Sequence, residues 1–258
     1  AISVPLSAHL LKHSVLPCTK QNKMQETERS LILAQAAEGA ERHDEMARFM
    51  RDRVQKGGYL SAEERDLFSA AYKAALAGRR HALRVAASVE QQEANEGRFG
   101  NSELAQGYRA KIEAELQKIC DEAVNLLSND LLPRAEQGEP RAFYLKMQGD
   151  YCRYNAEFAQ GDARARVAQA AAEAYDLATK EAHDHLLSTH PVRLGLALNY
   201  SVFQHEVLGD SPAAVATARA AFSGACADIE RLPEEAFRDA AVTMQLLQDN
   251  LNLWQPEP

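Results

Sequence analysis

The sequence lacks any run of about 18 consecutive apolar residues, the length that a helix needs to cross a membrane. Its first residues also lack the basic block and the unbroken apolar block of a signal peptide. The few cysteines are far apart, with no Cys-x-x-Cys motif and no short Cys/His spacing. We therefore expect no membrane span, no zinc site, and free thiols in a reducing compartment, the cytoplasm.

Positive charge is scarce overall. The 258 residues include 37 acidic and 29 basic side chains, for a formal net charge of −8. Binding to nucleic acid relies on a broad positive field, so this composition argues against a nucleic-acid-binding protein. The hydrophobic fraction of 46% is ample for a globular core.

Clusters suited to catalysis or metal binding are nearly absent as well. The one candidate is Glu181, His183 and His185, with His190 nearby. On a helix His183 and His185 would lie about 200° apart, so they cannot bind one ion from the same face. We predict no enzymatic activity, no metal and no cofactor; an enzyme stays as an alternative that a metal assay would test.

Strand patterns of alternating valines and aromatics are also missing, whereas helix-forming residues dominate from about residue 24 onward. This composition predicts an all-α protein of about nine antiparallel helices. Glycines and prolines that end helices are concentrated at a few junctions. These junctions lie at residues 56–58, 96–101, 133–140, 161–162, 190–191, 209–212 and 232–233.

The helices are expected to form one domain over residues 24–258, because neither a linker nor a composition shift divides the chain. No fixed repeat period is evident, although an array of helical repeats stays as an alternative. Residues 1–23 would form an extension, in which Leu6, Leu10 and Leu11 suit either a short amphipathic helix or a solvated segment.

Helix starts are marked by capping residues. Ser61 with Glu64 three residues later is typical of a capping box, and Asn101 and Ser102 are predicted to open the long central helix. Ser211 before a proline is a further start signal.

Basic residues gather on one helical stripe in the segment RDLFSAAYKAALAGRRHALRV. Lys73, Arg80 and Arg84 stand at i, i+7 and i+11, within roughly 20° of one line along a helix. Such a stripe costs like-charge repulsion, which an anionic partner would offset, and arginine forks suit phosphate or carboxylate oxygens. A solvated helix face is the alternative interpretation.

A second basic stripe makes an anion site the better interpretation. In FYLKMQGDYCRYNAE, Lys146 and Arg153 are seven residues apart, with Asp150 and Tyr154 beside them. Arginines, a lysine and a tyrosine hydroxyl would together supply donors for the three oxygens of a phosphate, while the carboxylate would hold an arginine in place.

Two helical faces in the last third combine amides with aliphatic residues. Asparagine is a poor helix former, and Asn199 and Asn250 in mid-helix would suit hydrogen bonds to the backbone of an extended peptide. The alternative is that the aliphatic residues belong to the core and the asparagines are incidental. The two faces comprise Leu198, Asn199, Val202 and Glu206, and Val242, Leu246 and Asn250 with Trp254 just after.

Seven segments then carry a family resemblance: ERHDEMARFM, LSAEERDLFSAAYK, RVAASVEQ, YRAKIEAEL, FYLKMQGDYCRY, THPVRLGLALNYSVF and MQLLQDNLNLW. From about Met24 to Trp254 the chain resembles the 14-3-3 proteins, adaptors that bind phosphoserine and phosphothreonine peptides. The resemblance implies nine antiparallel helices that form a concave amphipathic groove, and protomers joined into a dimer.

The resemblance also implies roles for individual residues. Lys73, Arg80, Arg153 and Tyr154 would bind the phosphate, with Arg84 supporting them. Asn199 and Asn250 would bind the peptide backbone. The remaining groove positions would be Lys146, Asp150, Leu198, Val202, Glu206, Val242, Leu246 and Trp254.

A homodimer is implied by further matching positions. Arg42 and Glu45 of one protomer would pair with Glu115 and Lys111 of the other, beside an interface Tyr108. Ala82, like Ala36, Ala86 and His43, stands where larger or hydroxyl-bearing residues are frequent in the family. We therefore expect a smaller apolar seam and a weaker dimer, because exposed ion pairs of about 0–1 kcal/mol would not replace the lost area.

Two competing functions stay open beside phosphopeptide binding: an enzyme and a peptide scaffold. The same groove could serve as a helical scaffold for unphosphorylated acidic or amphipathic peptides, because carboxylates partly mimic phosphate. Whether the affinity depends on the phosphate distinguishes this scaffold from phosphopeptide binding.

Overall fold

Helices account for nearly all of the structure. A computed structural model describes residues 18–254, and this part of the chain contains no strand. The all-α prediction is therefore confirmed, with about the predicted number of helices. They are α1 Cys18–Gly39, α2 His43–Gln55, α3 Ala62–Asn95, α4 Phe99–Leu126, α5 Glu139–Ala156, α6 Gly161–His185, α7 Pro191–Glu206, α8 Ser211–Asp228 and α9 Glu234–Trp254.

The predicted junctions lie at or beside connections between helices, but the turn between α1 and α2 was missed. It is made without proline, and Glu41 adopts a positive φ of 55° that glycine more often supplies. Within the described residues, helix α1 includes residues 18–23, which the sequence analysis assigned to the extension. The short helix suggested around Leu6, Leu10 and Leu11 lies outside the described residues.

The start of α3 is a complete capping box, as predicted. The Glu64 amide donates to Ser61 Oγ (3.2 Å) and the Ser61 amide donates to Glu64 Oε2 (2.8 Å). Glu64 also accepts two hydrogen bonds from the buried Arg53 of α2 at 2.8 and 3.0 Å. One carboxylate thus caps α3 and fixes it to α2.

The predicted start of α4 was wrong by two to three residues, since the helix begins at Phe99. Asn101 and Ser102 do not cap the helix but form hydrogen bonds to α3. The Asn101 side-chain amide donates to the Glu93 carboxylate (2.9 Å), and the Ser102 hydroxyl donates to the Glu90 carbonyl (3.2 Å). Both capping candidates therefore fix α4 against the end of α3. Helix α8 is capped by Asp210, whose carboxylate accepts from the Ala213 amide.

The core divides into three clusters along the helix order. The first joins α1 to α5 around Phe68, Tyr72 and Tyr151, all within 1% of full burial. The second joins α5, α6 and α7, and the third joins α7, α8 and α9. Helix α5 takes part in the first two clusters, and α7 in the last two. None of the helices within residues 18–254 combines the length and apolarity needed to cross a membrane.

Candidate functional site

The predicted site residues come from alternate helices, α3, α5, α7 and α9, and side-chain contacts join these helices in sequence. Arg80 of α3 lies over the Tyr154 ring of α5, Asp150 of α5 accepts from Asn199 of α7, and His205 of α7 stacks on Trp254 of α9. The structure therefore brings the two basic stripes together, with the asparagine-bearing face of α7 beside α5.

Tyr154 is the point where the two stripes meet. The guanidinium carbons of Arg80 and Arg153 lie 4.5 and 4.6 Å from the centre of its ring. Cation–π contact partly offsets the repulsion between the two guanidinium groups. Burial, and then the nearby Asp150 carboxylate, raise the pKa of Tyr154, so its hydroxyl remains protonated and able to donate.

Arg80 has a partner that the sequence analysis missed. Glu157, at the C-terminal end of α5, accepts hydrogen bonds from Arg80 Nη2 (2.6 Å) and Nε (3.0 Å). This bidentate pair fixes the arginine fork across α3 and α5. Glu157 stands four residues after Arg153, so a helical projection could have placed it near the site, but not have assigned it to Arg80.

Asp150 is buried beneath the site, with 2% of its surface exposed. It accepts from Lys146 Nζ (2.8 Å), Asn199 Nδ2 (2.8 Å) and the Tyr175 hydroxyl (2.6 Å). The expectation that it holds an arginine is only partly met, since Arg153 Nη2 is 4.0 Å away. Burial disfavours its charge, but the positive charges of Lys146 and then Arg153, together with the hydrogen bonds from Lys146 and Tyr175, outweigh burial and lower the pKa of Asp150.

The cations differ in exposure. Arg153 is buried, and its Nε donates to the Tyr175 hydroxyl at 3.3 Å. Burial opposes its charge, yet Tyr175 and Asp150 raise the pKa of Arg153 above its ordinary value. Lys73 keeps an exposed surface, although desolvation and then the Lys146 ammonium lower the pKa of Lys73. Arg84 is exposed one helical turn after Arg80.

The apolar residues predicted for the groove are accessible on α9. Val242 and Leu246 are 66% and 47% exposed, whereas Met244 and Leu247 of the same helix are buried in the core. Leu198, Val202, Asn250 and Trp254 are half-buried, and Glu206 is exposed. Trp254 is held by the His205 ring, 4.8 Å away between centroids.

Residues predicted for the dimer interface make contacts within the protomer. Arg42 pairs with Glu45, and Glu115 lies 3.4 Å from Arg79. Lys111 is exposed, and Tyr108 is 60% exposed. Ala82 packs against the protomer's own core, which also contains Ala86.

The candidate enzymatic cluster has a structural role. Glu181 Oε1 accepts from the Gly138 amide (2.6 Å), just before α5, and lies 3.5 Å from His185 Nε2. His183 points elsewhere and pairs with Asp184. Among the described residues, no group of three or more His, Cys, Asp or Glu side chains is arranged to hold a metal ion.

Fold and site together define a class: an all-helical protein suited to an extended anionic peptide. It has a cationic clasp, formed by Lys73, Arg80 and Arg153, and an exposed apolar surface at Val242 and Leu246. The sequence model of 14-3-3 proteins matches residues 33–255. The chain is 45% identical to a 14-3-3 protein of Eimeria tenella over 239 residues, covering 88% of this chain and 86% of the relative. It is 47% identical to 14-3-3 protein zeta of Xenopus laevis over 221 residues, covering 86% and 89%.

Protein BMH2 of Saccharomyces cerevisiae is 45% identical over 231 residues, covering 89% of this chain and 85% of the relative. The chain belongs to the 14-3-3 family. Its function is that of a phosphopeptide-binding adaptor rather than an enzyme. The family, fold and function predicted from the sequence are thereby confirmed. The family also implies phosphorylated clients and dimerisation.

Proposed function

We propose that the phosphate of a client phosphopeptide binds between Lys73, Arg80, Arg153 and Tyr154. The observation that carries this assignment is the convergence of Arg80 and Arg153 on one tyrosine ring, at 4.5 and 4.6 Å, in a chain of net charge −8. Two guanidinium groups in contact with the same ring concentrate positive charge there, which favours the binding of an anion. Arg84 adds positive charge from the next turn of α3.

The peptide backbone would run along α7 and α9. Because Asn199 Nδ2 donates to Asp150, its Oδ1 is left to accept from a peptide N–H. Asn250 would contact the backbone on the other side of the phosphoresidue. Lys146 and Asp150 act mainly by supporting these groups, since both are largely buried. The apolar residues of the peptide would contact Leu198, Val202, Val242, Leu246 and Trp254, with Glu206 as a polar neighbour.

Binding is the whole activity, since no bond is made or broken. We place the adaptor in the cytoplasm, which agrees with free thiols at Cys120, Cys152 and Cys226. Burial raises the pKa of Cys152 to about 11, so this thiol is unreactive in the folded protein.

The dimer would use Arg42, Glu45, Lys111 and Glu115, with Tyr108 as an exposed apolar anchor. Forming the cross-protomer pairs requires Arg42 and Glu115 to leave or share partners in their own protomer. This exchange of ion pairs reduces the free energy gained on dimerisation, and so supports a weaker dimer. Two grooves in one dimer would still raise avidity for a doubly phosphorylated client by about 10²–10⁴.

The test is an anisotropy titration of a fluorescent Arg-Ser-x-phosphoSer-x-Pro peptide against its unphosphorylated twin. Loss of one buried charged partner costs about 2–5 kcal/mol, so Arg80→Ala and Arg153→Ala should weaken phosphopeptide binding by at least about 30-fold. Arg134→Ala is the matched control, because this exposed arginine pairs only loosely with Asp130 (3.6 Å).

Equal affinity for the two peptides would instead support the scaffold for unphosphorylated peptides. Wild-type affinity in both arginine variants would refute the assignment of the phosphate site. Sedimentation of wild type and Tyr108→Ala over a concentration series tests the dimer, which should dissociate more readily in the variant.

A further inference from the structure

Tyr175 lies outside the four helices that carry the predicted site, yet its hydroxyl reaches the centre of that site. It belongs to α6 and is fully buried, so it cannot touch a bound peptide. Its hydroxyl donates to Asp150 Oδ1 at 2.6 Å and accepts from Arg153 Nε at 3.3 Å. One hydroxyl thus joins the buried carboxylate to the buried arginine.

The ring of Tyr175 is fixed by contacts with both α7 and α5. It stacks on Tyr200 with centroids 5.1 Å apart, and Phe203 lies at 5.4 Å. On the α5 side, a Cβ at Gly149 would come within 2.8 Å of the ring, so this glycine leaves the space that the ring occupies. The hydroxyl therefore has a defined position relative to α5.

We propose that Tyr175 is a positioning residue of the phosphopeptide site: its hydroxyl holds the Arg153 guanidinium apart from Asp150, and so keeps Arg153 available to phosphate. This inference rests on the proposed role of Arg153. Tyr175 occupies Asp150 Oδ1 together with Asn199, while Lys146 occupies Oδ2, which leaves Arg153 Nη2 at 4.0 Å.

The hydrogen-bond partner of each arginine determines how much positive charge remains for a ligand. Arg80 is held by a carboxylate, Glu157, which compensates its charge. Arg153 is held at Nε by a neutral phenol oxygen, which orients the guanidinium without cancelling its charge. Burial, and then Asp150, raise the pKa of Tyr175 well above its ordinary value, so the hydroxyl stays neutral.

The direct experiment compares Tyr175→Phe with Tyr200→Phe. Both variants keep their ring in the same stack and lose one hydroxyl bonded to a carboxylate, but the Tyr200 hydroxyl donates to Asp176 (2.6 Å), away from Arg153. Without the Tyr175 hydroxyl, Arg153 can turn onto Asp150. We expect Tyr175→Phe to weaken phosphopeptide binding about tenfold, and Tyr200→Phe to change it by less than about twofold.

A spectroscopic measurement separates positioning from a merely structural role. The Nε–H resonance of Arg153, assigned by its loss in Arg153→Lys, should exchange slowly with solvent in the wild type and faster in Tyr175→Phe. Rapid exchange in the unliganded wild type would overturn the proposal even if the variant failed to fold. Equal losses of affinity in the two Tyr→Phe variants would overturn it as well.

The outcome also separates this proposal from the assignment of the site. If Arg153→Ala abolishes phosphopeptide binding while Tyr175→Phe binds like wild type, only the role of Tyr175 is wrong. If Arg153→Ala itself binds like wild type, the site assignment fails, and the role of Tyr175 fails with it.

Discussion

Replacing Asp150 by asparagine should destabilise the protein strongly. The carboxylate is 2% exposed and accepts from Lys146, Asn199 and Tyr175 at 2.8, 2.8 and 2.6 Å. Asparagine has nearly the same shape but no charge, and whichever way its amide turns, its NH₂ group faces a donor where the carboxylate had an acceptor oxygen. The variant therefore leaves a buried cation without its counter-charge.

Removing one partner of a buried ion pair costs about 3–5 kcal/mol. The Lys146 side chain retains 14% exposure, so some hydration remains and the lower end applies. A loss of about 3 kcal/mol corresponds to a fall in Tm of about 6–12 °C for a chain of this length. Urea unfolding at one fixed protein concentration is the appropriate assay, because dimerisation contributes to apparent stability.

The pH dependence gives a second check. The pKa of Asp150 is lowered in the folded state, so its contribution to stability is fully present above its unfolded pKa of about 3.9. That contribution is lost as the pH falls through the folded value. The difference in the free energy of unfolding between wild type and Asp150→Asn should be constant from pH 7 to about 5, and shrink below about pH 4.

Asp249→Asn is the matched control, since this carboxylate is exposed and, among the described residues, accepts only from Gln245 (2.8 Å) on the same helix. This control should change the free energy of unfolding by less than about 0.5 kcal/mol. Adding Lys146→Met to Asp150→Asn should recover part of the loss, with a coupling of about 0.5–3 kcal/mol. A loss of stability below about 1 kcal/mol for Asp150→Asn alone would refute this stabilising role of the buried carboxylate.

Three further variants or reactions test the structure. Ser61→Ala removes the N-cap of α3 and should cost about 1 kcal/mol in thermal unfolding; no change would mean that the capping box contributes nothing. Gly149→Ala should cost about 1–3 kcal/mol, because its Cβ would meet the Tyr175 ring, and an unchanged Tm would show that the ring can yield. Lys73, whose pKa is lowered, should be acylated faster than the exposed Lys111 at mildly alkaline pH and be protected by phosphopeptide, as mass spectrometry would show; equal rates would contradict the shift.

The sequence predicted those parts of the site that depend on helix geometry alone. Lys73, Arg80 and Arg84 share a face because their spacing follows the helical period, and this holds wherever α3 lies. The Ser61 cap was predictable for the same reason, since both members of the box are three residues apart.

Other features depend on how helices pack, and the sequence could not supply them. Glu157 binds Arg80 across 77 residues, and Tyr175 binds Asp150 across 25. No local pattern connects such residues. The start of α4 was misplaced for a related reason: tertiary contacts recruit Asn101 and Ser102, two side chains that would otherwise suit an N-cap.

The two arginines of the clasp illustrate how a site can be both fixed and charged. A guanidinium held only by carboxylates would be well oriented but largely neutralised, whereas one without partners would keep its charge and lose rotamer entropy when a ligand bound. Here Arg80 has a carboxylate partner, Glu157, and Arg153 has a phenol. Because Asp150 is engaged by Lys146, Asn199 and Tyr175, positive charge remains in surplus around Tyr154, in a protein that is otherwise acidic. A doubly charged phosphate gains more from that surplus than a single carboxylate does, so the same contacts that order the site also favour phosphorylated over merely acidic peptides.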